Sequence, residues 1–206
     1  MTAIIDYGVG NLFSLQSSFA AIGEMAVVTS DAREIRNAER VLLPGVGAFG
    51  DAAGKLRESG LWDVVIEQAQ SGKPLLGVCV GMQLLFDKSF EFGEHDGLGL
   101  IPGEIRPISD VIEPGLKIPQ IGWNRLNFKE NNELFRYINN GDYVYFVHSY
   151  SAFCDDYVIA DTEYGAQLTA AVNSGNIYGC QFHPEKSGDV GLNILRGFLS
   201  LGGQTS

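Results

Sequence analysis

Residues 73–81 read KPLLGVCVG. Positions 75–78 are apolar without alternation, the pattern of a central strand covered on both faces. Cys79 follows directly, between Gly77 and Gly81, and the run MQLLF at 82–86 has helical character. A nucleophile between two glycines, where a buried strand turns sharply into a helix, is the thiol counterpart of the G-x-S-x-G elbow. The turn lifts the side chain into a cleft, and a side chain in place of either glycine would collide with neighbouring strands. The N–H of Val80, first in the helix, would face an oxyanion forming beside the sulfur. Taken alone, the stretch fits a small buried packing cysteine equally well.

Upstream, short apolar runs alternate with amphipathic stretches: AIID at 3–6, a helical pattern over 12–22, MAVVT at 25–29, RVLLPG at 40–45, and helical patterns near 50–57 and 61–71. That alternation is the signature of a parallel sheet with crossover helices. Downstream the character changes. EIRPI at 104–108, WNRLNF at 123–128, YVYFVHSY at 143–150, TAAVN at 169–173 and IYGCQF at 177–182 are strand-like and joined mostly by turns. GLNILRGFLSL at 191–201 returns to helical spacing. The expected fold is therefore α/β: an open, mostly parallel sheet flanked by helices, with an added antiparallel or mixed sheet portion. A length of 206 residues, 45% hydrophobic content and no linker-like stretch predict one domain over residues 1–206.

Two further stretches give the cysteine a setting. In QFHPEKS at 181–187, His183 and Glu185 lie two positions apart and project on one face of an extended chain, so the carboxylate holds the imidazole in the tautomer that faces a thiol. Pro184 between them removes a backbone donor and fits a strand end or edge. The loop PGVGAF at 44–49 follows another buried strand and lacks the Gly-Lys-Ser/Thr ending of a phosphate loop. It suits a second oxyanion donor, the N–H of Val46 or Gly47. His95, in GEHDG, reads as a solvated loop residue, and His148 ends an apolar strand, a position that can lie near the site but with no carboxylate at comparable spacing.

The formal net charge of -11 disfavours a nucleic-acid partner, which needs a basic surface. The opening MTAIIDYGVG lacks a basic start and reads as a buried strand, not a signal peptide, and no apolar run approaches the ~20 residues of a membrane span. Three cysteines without CxxC spacing argue against a disulfide framework and a zinc site, and fit a reducing cytoplasm. Cys154 and Cys180 read as packing residues. No metal and no cofactor are expected.

Together and in this order, PGVGAF, GVCVGMQLL and QFHPEKS resemble the class I glutamine amidotransferases. IDYGVGNLFSL, GLGLIPGEI, PQIGWN and YFVHSY extend the likeness over nearly the whole chain, and within the family it is similar to the glutaminase subunits of histidine biosynthesis. The resemblance implies a flavodoxin-like fold and hydrolysis of L-glutamine by a Cys79–His183–Glu185 triad through a thioester. It implies that the glutamine is held by Gly47, Gln83 and the pair Ser149 and Tyr150. Gln83 lies one helical turn past Cys79 and so reaches the same substrate. It also implies a heterodimer with a beta/alpha-barrel cyclase that takes the ammonia and converts PRFAR to imidazole glycerol phosphate and AICAR. Asn11, Trp123, Tyr143 and Lys186 match positions that face the cyclase. The pattern departs at Gln120, where the likeness calls for histidine. A paralogous subunit feeding ammonia to another pathway, such as surface-sugar amination, stays open at this point, as does an elbow-cysteine peptidase or deglycase.

Overall fold

The computed structural model describes residues 1–202; residues 203–206, which the expected domain also includes, lie outside it. In chain order the elements are β1 (Thr2–Ile5), α1 (Leu12–Ala21), β2 (Ala26–Thr29), α2 (Ala32–Asn37), β3 (Arg40–Leu43), α3 (Phe49–Glu58), α4 (Trp62–Gln70), β4 (Leu75–Val78), α5 (Val80–Gln83), β5 (Phe86–Ser89), β6 (His95–Asp96) and β7 (Ile101–Pro107). They continue with β8 (Gln120–Arg125), β9 (Asn127–Phe128), β10 (Tyr143–His148), β11 (Tyr150–Phe153), β12 (Val158–Glu163), β13 (Gln167–Ser174), β14 (Ile177–Cys180) and α6 (Gly188–Ser200).

The main sheet has eight strands in the order β2-β1-β3-β4-β14-β13-β12-β9. The pairs from β2 to β14 are parallel, and those from β14 to β9 are antiparallel. The first five strands follow the doubly wound order, with β14 in the fifth place, so a ligand site belongs at their carboxyl ends. β1 and β4 are buried throughout, as strands covered on both faces must be. Helices lay apolar stripes on this sheet: α3 buries Phe49, Ala52, Ala53 and Leu56, positions spaced at helical period. α6 does the same with Gly191, Ile194, Leu195 and Phe198.

The added portion is two small sheets: β11-β7-β5-β6, and a two-stranded ribbon, β10-β8. Two apolar runs that read as single strands are divided between sheets. WNRLNF breaks at the fully buried Leu126, with β8 in the ribbon and β9 on the edge of the main sheet. YVYFVHSY breaks at Ser149, sending β10 to the ribbon and β11 to the other small sheet. The helical run expected after the elbow is one turn, α5, because Phe86 already pairs as a strand with Ile101. α2, β5, β6 and β12 carry too little periodicity to stand out in the sequence.

Candidate active site

At the end of β4 the chain turns so sharply that Cys79 takes φ 55 and ψ -114, a left-handed backbone that a side chain tolerates only where its surroundings impose it. Its N–H donates to the carbonyl of Cys180 at 2.8 Å, extending the β4–β14 pairing up to the nucleophile. The flanking glycines are required by space. A Cβ on Gly77 would lie 2.6 Å from the Gly81 carbonyl oxygen, and one on Gly81 would overlap the Leu43 carbonyl oxygen at the end of β3. The collisions are thus within the elbow and with β3. Gly45 packs in turn on Gly81, so of the two glycines in the loop after β3 only Gly47, at φ 84 and with open space around it, is a conformational glycine. The Tyr7 hydroxyl donates to the Pro44 carbonyl at 2.7 Å and pins the start of that loop. Burial, followed by the neighbouring Cys79, raises the Tyr7 hydroxyl well above its usual range, so it stays a donor.

His183 follows β14 and is almost wholly buried. Its N–H donates to the Tyr145 carbonyl at 2.9 Å, and its carbonyl accepts from the Ser187 hydroxyl at 2.7 Å. The ribbon strand β10 thereby holds the imidazole in place. Nδ1 is 2.8 Å from Glu185 Oε1, and the ring lines the same cavity as Cys79. The reason for the His–Glu contact differs from the extended-chain expectation. Pro184–Lys186 is a 3₁₀ turn with the proline in its first position, and this turn brings the carboxylate back onto the ring. Burial pushes the His183 imidazole down, but its interactions with Cys79 and Glu185 outweigh burial and raise it to about 9. The other nearby thiol is set apart electrostatically: burial first, then the charges of Glu185 and Cys79, pushes Cys180 well up and keeps it protonated. Cys154 is also buried, away from this cleft.

A cavity of about 360 Å³ opens over Cys79 and His183. Val46, Gly47, Val80, Gln83, Ser149 and Tyr150 all line it, so each expected oxyanion or substrate residue is brought to one place. Val80 begins α5, where the first N–H groups have no partner within the helix. Gln83 is buried, its Nε2 donating to the Tyr150 carbonyl at 3.2 Å and to Gln181 Oε1 at 3.0 Å. Gln181 Nε2 closes the chain of contacts on Cys79 Sγ at 3.7 Å. Glu185 stands behind His183, outside the cavity lining, with its side chain buried.

Several residues of the site carry no signal in the sequence. Glu91 lines the cavity and accepts the N–H of Phe49, first residue of α3, at 2.6 Å. Burial raises its carboxyl above the usual range, opposed by that hydrogen bond. Only the topology places residue 91 beside residue 79. His148 also lines the cavity, buried, with Nδ1 2.8 Å from the Tyr150 carbonyl and Nε2 2.9 Å from the Gln120 side chain. His95 packs its ring against Phe49 and Gly50 at the head of α3, where a loop histidine in solvent was expected.

Of the four positions matched to a partner surface, Lys186 lines the cleft, Trp123 and Tyr143 lie on the ribbon, and Asn11 lies outside both. Trp123 stacks edge-on against Tyr145, with ring centroids 6.0 Å apart, and the Lys186 ammonium lies 5.8 Å over the same Tyr145 ring. Tyr143 accepts a hydrogen bond from Arg125 Nε at 2.9 Å on the same face of the ribbon. Asn11 stands at the head of α1, which packs against the Pro184–Lys186 turn. Lys186 also reaches the cavity wall.

Comparison with known proteins gives the family. The family model for "Glutamine amidotransferase class-I" matches residues 3–200. The imidazole glycerol phosphate synthase subunit HisH of Sulfurimonas denitrificans is 50% identical over 96% of this chain and 97% of its own length. That of Lactococcus lactis is 47% identical over 95% and 96%. Among solved structures, a glutamine amidotransferase superposes with a TM-score of 0.76 over 98% of this chain and 99% of its own, at 18% identity, a likeness of fold. No helix among the described residues is long and apolar enough to cross a membrane. A family match along nearly the whole chain, with relatives close to half identical from end to end, leaves one assignment: the chain belongs to the class I glutamine amidotransferases.

Proposed function

We propose that this chain is the glutaminase subunit of an imidazole glycerol phosphate synthase, acting as a single domain and releasing ammonia from L-glutamine for a barrel cyclase in the cytoplasm. The observation that carries the reading is His183, buried, hydrogen-bonded to Glu185 and lining together with Cys79 a cavity large enough for an amino acid.

Each step then has a named residue. Cys79 Sγ, its proton held by His183, attacks the side-chain amide carbon, and the carbonyl electrons move onto oxygen. The N–H groups of Val80 and of Val46 or Gly47 stabilise that oxyanion. As the tetrahedral carbon collapses, the C–N bond breaks and the His183 imidazolium protonates the departing nitrogen, releasing ammonia. A glutamyl thioester remains. Neutral His183 then takes a proton from water, the hydroxide adds to the thioester carbon, and collapse expels the sulfur and leaves glutamate. Glu185 steadies the imidazolium throughout, consistent with the raised His183. Glu91, a carboxylate on the far wall, suits the ligand's ammonium, and the Ser149 and Tyr150 backbone suits the rest of its amino-acid end.

The likeness to synthase subunits supports the choice of partner, and so does the ribbon face carrying Trp123, Tyr143 and Ile121, which are 51, 46 and 60% exposed. Mixing the chain with a barrel cyclase and following both glutamate release and imidazole glycerol phosphate synthesis from PRFAR tests the reading. Coupled, equimolar formation is expected. Glutamate release with no synthesis, together with failure to rescue a histidine auxotroph lacking its own subunit, would move the acceptor to another pathway.

A further inference from the structure

Four buried polar side chains far apart in the sequence, Gln120, His148, Gln83 and Gln181, run in a hydrogen-bonded file from the ribbon to the nucleophile. The direction of each bond follows from chemistry. His148 Nδ1 lies 2.8 Å from the Tyr150 carbonyl, and a carbonyl only accepts, so Nδ1 carries a proton. Burial, aided by His183 and opposed by the bond to Tyr150, lowers the His148 imidazole to about 4, so the ring is neutral and Nε2 is bare. A bare Nε2 needs a donor. The Gln120 amide end 2.9 Å away must therefore be its NH2, since the reverse placement sets two acceptors together and leaves a buried NH2 with no partner among the described residues. The two ends of an amide have the same shape, and such bonding decides which is which. The end left over is then a carbonyl oxygen, which proteins leave bare more often than a buried N–H.

Onward, the Tyr150 carbonyl also accepts one N–H of Gln83, and Gln181 Oε1 accepts the other. With both hydrogens committed, Gln83 has only its oxygen left for the cavity it lines.

We propose that Gln120 and His148 are positioning residues: their hydrogen bond keeps the His148 proton on Nδ1 and, through the Tyr150 carbonyl, turns the Gln83 oxygen toward an N–H of the bound glutamine. The proposal rests on the glutaminase reading above. It assigns the ribbon's inner face a part in ligand affinity, because Gln120 touches neither the cavity nor Cys79.

The test uses the full chain with the barrel cyclase bound. Nitrogen-15 NMR of histidine-labelled protein should show His148 protonated on Nδ1 and bare at Nε2 near neutral pH. Gln120→Leu should raise KM for glutamine roughly tenfold, the scale of one buried hydrogen bond, with kcat changed less than about twofold. His148→Phe should do the same, and His148→Asn, whose amide donates from the place of Nδ1, should restore much of the affinity. A wild-type His148 proton on Nε2, or an unchanged KM in folded Gln120→Leu, would overturn the relay. If Gln120→Leu does not fold, the His148 pair and the wild-type tautomer decide. A wild-type complex that releases no glutamate would sink the glutaminase reading instead, and the tautomer would still judge the relay.

Discussion

The elbow wall of the cleft and the ribbon wall facing it are built on different terms. At the elbow, main chain meets main chain: Gly45, Gly77 and Gly81 each face backbone atoms at distances that admit no Cβ. The ribbon has two unlike faces. Gln120, Val144, Phe146 and His148 point inward and are buried, while Ile121, Trp123 and Tyr143 point outward and stay largely exposed. The nucleophile's pose is therefore determined within the chain. The ribbon wall is backed by a surface the chain does not itself cover, and under the proposed function a partner would act there and leave the elbow as it is.

The strongest challenge to that division is to remove the nucleophile and leave both walls standing. Cys79→Ala should lower glutamate release on the order of 10⁶-fold, while the complex still makes product from added ammonium salts. Loss of the ammonium-dependent reaction as well would mean that Cys79 also supports the partner's surface.

Glycine replacements then compare a packed position with an open one at the elbow wall. Gly81→Ala forces a Cβ into the Leu43 carbonyl and should cost more than about 3 kcal/mol or prevent folding. Gly47→Ala meets no atom but must hold φ 84, which costs about 1 kcal/mol. Denaturant unfolding measures both, and equal costs would erase the distinction between them.

A pH profile tests how the two walls share His183, which the ribbon anchors and the elbow charges. Its pKa is raised from the ordinary 6.5 to about 9, so the imidazolium persists through neutral pH and is lost as pH rises through about 9. kcat/KM should fall on that alkaline side. Glu185→Gln removes one of the partners that raise it, so the fall should move toward neutral pH, by about one unit if a charge-assisted bond is lost. An unmoved alkaline limb would take Glu185 out of the electrostatics.

The smallest effect on the isolated chain is expected at the ribbon's outer face. Trp123→Ala should change stability by no more than about 0.5 kcal/mol, as exposed positions do, and weaken cyclase binding by roughly tenfold or more. Calorimetric titration gives the second figure. A large loss of stability with unchanged association would make Trp123 a folding residue.

Legibility in the sequence followed locality. The placement of Cys79, His183 and Glu185, the proposed triad, could be read because G-x-C-x-G and H-P-E each span a few adjacent positions, even though a 3₁₀ turn, and not strand alternation, sets the His–Glu contact. The alternating first half gave the parallel strands for the same reason. Glu91, Gln181 and the Gln120–His148 pair stayed hidden because their partners lie 42, 102 and 28 positions away, distances at which only topology decides proximity. The two apolar runs that divide between sheets failed differently. A strand that leaves one sheet for another keeps its alternation, and the buried Leu126 and the bend at Ser149 look like any other strand position.

The place of β14 also bears on how the enzyme is made. Residues 177–180 are the last strand among the described residues, yet they fill a central slot between β4 and β13. Until they emerge from the ribosome, β4 and its cysteine sit on an open sheet edge, without the Cys180 carbonyl that receives the Cys79 N–H and without His183. A chain that stops before β14 thus lacks both the strand beside Cys79 and His183, the base of the proposed mechanism. The pairing that completes the centre of the sheet is thus also the one that brings His183 to Cys79, so under the proposed function the fold and the site are completed by the same long-range contact.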